Sequence, residues 1–215
     1  MNIVFDFAGV LFGWSPPALV QRILPRRASD PAAALRLVDA VFQGFGGDWG
    51  DFDRGTVQTS VLATRIAART GLTEAEVRAV VDAVAAELQP MQESVALVEA
   101  LHGAGRRLFF LSNMPVPYAE QLDRSHGFLR CFSDGVYSGR VGLVKPEPAI
   151  FELAAQRFDR APAELLFFDD VPANVDAARA AGWQARVFVD AAGCRRDLEA
   201  SGLLPAAAAV EAAAR

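Results

Sequence analysis

The sequence predicts an α/β fold, a doubly wound parallel sheet with an all-helical cap domain inserted into it. Two observations lead to this prediction. Short apolar segments recur along the chain and alternate with helical segments of about ten residues, a pattern that forms right-handed βαβ units. The stretch from about residue 16 to residue 90 has helical spacing and no strand-like segment. The inserted helices would lie over the strand ends, where a lid sits.

The first strand is predicted over residues 2–7, where apolar residues include the β-branched Ile3 and Val4. Asp6 lies at its end, and a carboxylate in such a place is costly unless it has a partner or a task. Gly9 allows a sharp turn directly afterwards. Open parallel sheets bind ligands at the carboxyl ends of their strands, so Asp6 is a candidate nucleophile or metal ligand.

The inserted stretch contains several predicted helices. Apolar residues follow helical spacing over residues 35–42 and again over residues 57–66. A capping box at residues 73–76 begins a further helix that runs to about Leu88. Between the helices, residues 43–50 are rich in glycine and aromatic residues and are expected to form a loop. Phe45 and Trp49 are candidates to line a pocket, with packing between helices as the favoured alternative.

After Pro90 the chain alternates between predicted helices and strands. Each strand is a short apolar run, and each helix is bounded by Pro or Gly. The predicted strands are Arg107–Leu111, Phe132–Tyr137, Leu165–Phe168 and Ala185–Val189, and the predicted helices are Glu93–Gly103, Pro117–Ser125, Pro146–Phe158 and Asn174–Ala181.

Composition narrows the class of protein. The chain has 215 residues, a hydrophobic fraction of 52% and a net charge of −5, so a nucleic-acid-binding surface is not expected. Cys131 and Cys194 lie far apart, which suits a reducing cytoplasm without disulfides or a zinc site. No signal peptide is visible, and the Ala-rich tail after Pro205 is too short for a membrane span. A cytoplasmic location with no membrane partner is therefore expected.

Polar residues follow the predicted strands at the edge where parallel strands converge. Together they offer a nucleophile, a hydroxyl donor, a cation and a carboxylate pair, the groups that hold a phosphoryl group beside a hard divalent cation. The cation is the only lysine among 21 basic residues. The residues are Asp6, Ser112 with Asn113, Lys145, and Asp169 with Asp170.

The set of motifs resembles the haloacid dehalogenase-like hydrolase superfamily, and specifically its members with a Rossmann-like core and a helical cap after the first motif. The branch of glucose-1-phosphate phosphatase-like proteins is the most similar. The matching motifs span about residues 2 to 190: Asp6–Leu11, Leu111–Asn113, Ser138–Gly142 with Lys145–Pro148, and Phe167–Asp170 with Asn174, Ala177, Ala178 and Gly182. The resemblance implies a core of residues 1–13 and 91–215 and a cap of residues 14–90.

The resemblance also implies a role for each matching residue. Asp6 would attack phosphorus, and the remaining roles fall to two groups of residues. Ser112, Lys145 and Asn113 would bind the phosphorylated substrate, a small metabolite of sugar-phosphate type. Asp6, Asp169, Asp170 and the backbone carbonyl of Ala8 would hold Mg²⁺, and Asn174 would steady the loop of the two aspartates.

One position departs from the family pattern. Phosphatases of the family usually carry a second Asp two residues after the nucleophile, and Ala8 stands there. That Asp supplies general acid–base catalysis, which is worth roughly 10²–10⁴ in rate. A water molecule, the substrate or a cap residue would have to replace it. Asp53 is one candidate for this substitute acid, and its alternative role is that of a turn residue before Gly55.

Three other functions stay open beside a phosphatase. The 2-haloacid dehalogenases also lack the second Asp but need no Mg²⁺, which leaves the paired Asp169 and Asp170 unexplained. Phosphonoacetaldehyde hydrolases need a cap lysine, whereas Lys145 is already used by the third motif. A weakly active or inactive protein that binds a phosphorylated ligand is compatible with Ala8. The substrate and the oligomeric state cannot be inferred from the sequence.

Overall fold

The computed structural model describes residues 1–205, so the Ala-rich tail after Pro205 lies outside the described residues. Within that range the chain forms an α/β fold of five strands and eleven helices. The strands are β1 (Asn2–Phe5), β2 (Leu108–Ser112), β3 (Asp134–Tyr137), β4 (Leu165–Asp169) and β5 (Gln184–Val187). The helices are α1 (Pro16–Ile23), α2 (Pro31–Phe42), α3 (Gly47–Asp53), α4 (Thr59–Thr70), α5 (Glu74–Glu87), α6 (Gln92–Gly103), α7 (Val116–Ser125), α8 (Ser138–Val141), α9 (Pro148–Phe158), α10 (Pro172–Ala180) and α11 (Ala191–Ala200).

The strands form one parallel sheet in the order β3-β2-β1-β4-β5. Successive side chains of a strand face opposite sides of the sheet. Because the strands are nearly continuous apolar runs, both faces of the sheet are apolar. On one face Ile3 and Phe5 join the cluster that contains α6 and α11. On the other face Val4 packs in the cluster that contains α9 and α10. The sheet is therefore doubly wound, as the sequence predicts, and β1 lies at its centre.

The helices α1 to α5 lie between the two segments that leave and re-enter the sheet domain. These segments pair with each other, because Gly13 N donates to Gln89 O at 2.8 Å and Met91 N donates to Leu11 O at 2.8 Å. The apolar cluster that includes Ile3 and Phe5 continues into all five of these helices. The inserted helices are thus packed onto the sheet domain through a shared core.

The capping box is confirmed, and one predicted loop is wrong. Thr73 and Glu76 exchange both capping hydrogen bonds at the start of α5. The predicted loop of residues 43–50 instead contains the beginning of α3. Glycines disfavour a helix locally, but Trp49 and Phe52 on α3 are buried, and tertiary packing of an apolar face outweighs propensity.

Other boundaries also differ from the sequence prediction. The helix expected to begin at Pro146 begins at Pro148, because a residue that precedes proline is restricted to extended conformations and Glu147 adopts one. The short helix α8 and the helix α11 were not predicted. Within the described range, Cys131 and Cys194 are both free. None of the helices in residues 1–205 is long and apolar enough to cross a membrane.

Candidate active site

Three of the predicted site residues meet at the carboxyl edge of the sheet. Lys145 Nζ lies 2.8 Å from Asp6 Oδ1 and 2.6 Å from Asp169 Oδ2. All three side chains are buried, with Lys145 only 4% exposed. The ammonium therefore bridges the carboxylate that follows β1 and the carboxylate that ends β4.

Strand register explains why the two carboxylates are neighbours. Phe5 pairs with Phe168 in the parallel ladder, and Asp6 N donates to Phe168 O at 2.9 Å. Asp6 and Asp169 follow this pair at the same level of adjacent strands. Because both strands are buried on both faces, these carboxylates can reach a ligand only at the edge of the sheet.

Asp170 completes a cluster of three carboxylates. One oxygen each of Asp6, Asp169 and Asp170 lies within 4.8 Å of the others. Gly9, at φ 81°, makes room for this cluster, since a Cβ at that position would lie 2.3 Å from Asp170 Oδ2. Three carboxylates against one ammonium leave excess negative charge, and clustered carboxylate oxygens are ligands that hard divalent cations prefer. The residues present therefore fit Mg²⁺.

The pKa values reflect this crowding. Burial, together with the charges of Asp169 and Asp170, raises the pKa of Asp6 to about 7 despite the nearby Lys145. Burial and Asp169 also raise the pKa of Asp170. The pKa of Lys145 is raised because its two carboxylate partners outweigh the effect of burial. The ammonium stays charged, and an additional cation would favour the ionised form of Asp6.

Ser112 and Asn113 follow at the end of β2. Ser112 is buried, and its Oγ has no hydrogen-bond partner in the described part of the chain. An unpartnered buried hydroxyl is costly unless a ligand supplies the missing bond. The Asn113 side chain has a different task, because its Nδ2 donates to Lys145 O at 2.9 Å and its Oδ1 accepts from Lys145 N at 2.8 Å. Asn113 therefore holds the backbone of Lys145, and substrate binding by Asn113 stays a prediction.

Asn174 and Ala8 complete the predicted residues. Asn174 Nδ2 donates to both carboxylate oxygens of Asp169 at 3.1 Å, which steadies the loop as predicted. Ala8 lines the cavity beside Asp6. Among residues 1–205, the carbonyl of Ala8 accepts no backbone hydrogen bond, so it is available to a metal ion.

A cavity of about 660 Å³ opens above these residues, between the sheet edge and the inserted helices. Away from the sheet edge, its wall is formed mostly by aromatic, aliphatic and glycine residues. Trp14, Phe45, Trp49 and Leu88 belong to the inserted segment, whereas Met114 and Tyr118 belong to the sheet domain.

Most polar side chains at the cavity are already paired within the protein. Arg54 binds the carboxylate of Glu147 through both terminal nitrogens. Tyr118 Oη donates to Val81 O at 2.8 Å. Asp51 is paired with Arg65. The polar groups left for a ligand lie mainly at the sheet edge.

The sequence points to only part of the cavity wall: Phe45 and Trp49 are candidates to line a pocket, whereas Trp14, Met114 and Tyr118 are missed. The sequence does contain a signal for Trp14. This aromatic residue follows the Asp6 motif by only a few positions, at the point where the chain enters the inserted helices. Met114 and Tyr118 have no such signal, since an apolar residue that faces a cavity cannot be distinguished by pattern from one that faces the core. Asp53, placed only provisionally from the sequence, is buried and lines the same cavity as Asp6 and Lys145.

Comparison with known proteins places the arrangement in context. The family model of the haloacid dehalogenase-like hydrolases matches residues 1–182. The sesquiterpene phosphatase astK of Aspergillus oryzae is 27% identical to this chain over 180 residues, which are 83% of this chain and 85% of that protein.

Solved structures share the fold. A haloacid dehalogenase family enzyme of Bacteroides thetaiotaomicron, in complex with magnesium and inorganic phosphate, has a TM-score of 0.66 at 17% identity and covers 86% of this chain and 92% of its own. The L-2-haloacid dehalogenase of Xanthobacter autotrophicus has a TM-score of 0.64 at 19% identity and covers 95% of this chain and 84% of its own. At these identities the likeness concerns the fold alone.

Proposed function

Because the chain belongs to the haloacid dehalogenase-like hydrolase family, we propose that it is a Mg²⁺-dependent phosphatase of small phosphorylated metabolites that acts through an aspartyl-phosphate on Asp6. One observation carries the proposal: Lys145 Nζ bridges Asp6 and Asp169, and the oxygens of these two and of Asp170 lie within 4.8 Å of one another. Dehalogenation without Mg²⁺ would leave the excess negative charge of this cluster beside Asp6 without a counter-ion.

Each residue then has a chemical task. A carboxylate oxygen of Asp6 attacks phosphorus, and the bond from phosphorus to the leaving oxygen breaks. Ser112 Oγ, unpartnered within residues 1–205, donates to a phosphoryl oxygen, and Lys145 balances the charge on the transferred group. Asp6, Asp169, Asp170 and the Ala8 carbonyl would hold Mg²⁺, which neutralises phosphoryl charge. Water then releases the phosphate from Asp6.

We infer further that the substrate is the phosphate monoester of an apolar alcohol rather than a sugar. A sugar presents several hydroxyl groups that need partners once they leave water. Arg54, Tyr118 and Asp51 already have partners in the protein, whereas most other residues of the wall around them are aromatic, aliphatic or glycine. The similar relative named a sesquiterpene phosphatase supports the same class of substrate.

The test is phosphate release from farnesyl phosphate, glucose 1-phosphate and an aryl phosphate, with Mg²⁺ or with a chelator. We expect turnover only with Mg²⁺ and none in Asp6→Asn. Farnesyl phosphate should exceed glucose 1-phosphate in kcat/KM by at least about tenfold, which requires only about 1.4 kcal/mol of apolar burial. Turnover of 2-haloacids that ignores the chelator would refute the phosphatase.

A second variant tests the substrate class. Phe45 lies at the cavity and is 44% exposed, so Phe45→Ala should raise KM for farnesyl phosphate and leave the aryl phosphate little changed. Leu35→Ala is the matched control, because Leu35 is an exposed apolar residue of the inserted helices that does not line the cavity. Equal effects of the two variants would contradict an apolar substrate.

A further inference from the structure

Asp53 is a buried carboxyl group that the proposed chemistry has not yet used. It ends α3, it is 5% exposed, and it lines the cavity that also contains Asp6 and Lys145. Among residues 1–205 its carboxyl forms no hydrogen bond or ion pair. An unpartnered carboxyl is costly to bury, so a task at this position is expected.

Three consecutive residues, beginning with Asp53, attach this part of the main chain to the sheet domain. Ser138 Oγ donates to the main-chain carbonyl of Asp53 at 2.6 Å. Arg54 binds the Glu147 carboxylate, and its Nη1 also donates to Gly142 O at 3.1 Å. Gly55, at φ 80°, packs so closely on Gly139 that a Cβ would lie 2.3 Å from the Gly139 carbonyl oxygen. The main chain that carries Asp53 at the cavity is therefore held to the sheet domain at its own carbonyl and by both following residues.

Other ionisable groups at the cavity are committed elsewhere. Asp51 is paired with Arg65, and Glu147 is paired with Arg54. Asp170 belongs to the carboxylate cluster that fits a metal ion. Within the described residues, this leaves Asp53 as a cavity carboxyl with no partner and no place in that cluster.

The groups around Asp53 favour its neutral form. Burial raises the pKa of Asp53 well above its usual value, and the charge of Lys145 opposes this shift only in part. Tyr118 of α7 lines the same cavity, and burial raises the pKa of this phenol, which therefore stays neutral. A protonated carboxyl at the cavity can donate a proton to a ligand.

We propose that Asp53 is the general acid and base of the reaction, in place of the aspartate that family phosphatases carry at the position of Ala8. This inference rests on the proposed phosphatase function and adds a catalytic residue to it. The acid is supplied from the inserted helices instead of from the turn after β1.

The proton balance is complete without another group. In the first step Asp6 forms a bond to phosphorus, the bond to the leaving oxygen breaks, and that oxygen takes the proton of Asp53. In the second step Asp53, now a carboxylate, takes a proton from water, whose oxygen attacks phosphorus. The bond between phosphorus and Asp6 breaks, which releases inorganic phosphate and restores both carboxyl groups to their starting states.

The test compares Asp53→Asn with the native chain on farnesyl phosphate and on an aryl phosphate, whose leaving group needs little protonation. On farnesyl phosphate kcat should fall by roughly 10²–10⁴, the usual value of general acid–base catalysis. On the aryl phosphate the variant should release a burst of about one equivalent of alcohol and then stall, since the first step proceeds and the second lacks its base. Phosphorylated Asp6 should accumulate and be detectable by mass spectrometry.

Controls separate catalysis from folding. Asp39→Asn removes an exposed carboxyl of α2 and should leave both activities unchanged. Asp53→Asn keeps the shape of the side chain and replaces the ionisable carboxyl with a neutral amide, so its melting temperature should not fall. Adding Ala8→Asp to Asp53→Asn should restore turnover of farnesyl phosphate by at least about tenfold, because an acid then returns at the family position.

The pH profile gives an independent readout. For the native chain, kcat/KM on farnesyl phosphate should decline as pH rises through the pKa of Asp53, since the free enzyme needs the protonated form. This decline should be absent in Asp53→Asn. If Asp53→Asn matches Asp39→Asn on farnesyl phosphate while the native chain is active, Asp53 is not the acid. An inactive native chain would overturn the phosphatase function itself and this inference with it.

Discussion

Lys145 shows how one residue connects sequence composition to site chemistry. The chain uses arginine for its other basic residues, yet it places a lysine where two carboxylates must be bridged. A compact ammonium fits between Asp6 and Asp169 in a buried space, whereas a planar guanidinium needs more room and a wider set of acceptors. Lys145 thus holds the two carboxylates close together and partly balances their charge.

Replacing this lysine should destabilise the fold. Lys145→Met keeps the length of the side chain but leaves buried carboxylates without their partner, which costs about 3–5 kcal/mol when a buried pair is broken. The measurement is urea unfolding at neutral pH in chelator. Arg157→Ala is the control, because Arg157 pairs with Asp134 at the surface and such pairs contribute about 0–1 kcal/mol. Equal losses in both variants would contradict the structural role of Lys145.

At the scale of elements, the segment after α3 determines how the inserted helices meet the sheet domain. Gly55 has a positive φ and approaches the backbone of Gly139. The adjacent Arg54 binds Glu147, which directly precedes α9. A helix end, a glycine and an ion pair therefore join the two parts of the chain directly above the site.

Substitution of this glycine should disrupt the junction. Gly55→Ala imposes a left-handed conformation on alanine, at roughly 1–2 kcal/mol, and also places a methyl group against the Gly139 carbonyl. Gly71→Ala carries the same backbone strain at φ 72° with nothing within 4 Å of the new Cβ. We expect thermal unfolding to show the larger loss for Gly55→Ala, together with a loss of phosphatase activity that Gly71→Ala does not share. Matching losses would mean that the close contact is unimportant.

At the scale of the whole molecule, the sheet domain and the inserted helices share one apolar cluster. One cluster of buried side chains includes residues of β1, α6 and α11 and also residues of α1 to α5. A cap that moved as an independent body would need an apolar core of its own. Packing therefore joins the inserted helices to the sheet domain, and the division into a cap of residues 14–90 and a core stays a prediction.

This shared core predicts a single unfolding transition. Trp14 and Trp49 report on the inserted helices and Trp183 on the sheet domain, so Trp183→Phe and the double variant Trp14→Phe with Trp49→Phe isolate the two signals. In each variant the urea midpoint measured by fluorescence should equal the midpoint measured by circular dichroism. The two parts of the chain then unfold together. A fluorescence transition of the inserted helices at lower urea than the circular dichroism would contradict a shared core.

The sequence by itself determined the sheet, the insertion and the residues at the strand ends. Buried parallel strands are continuous apolar runs, so a polar residue directly after such a run marks the sheet edge, as Asp6, Ser112 and Asp169 do. The capping box at Thr73 is equally local, because both partners lie within one turn.

Only the tertiary structure decided what lies opposite that edge. Helix α3 forms because Trp49 and Phe52 are buried, not because residues 47–53 favour a helix. The burial of Asp53 and the pairing of Arg54 with Glu147 depend on contacts between residues far apart in sequence. Local pattern encodes periodicity and turns, whereas the environment of a side chain is fixed by distant neighbours, so the sequence alone could place Asp6 at the sheet edge but could not define the cavity above it.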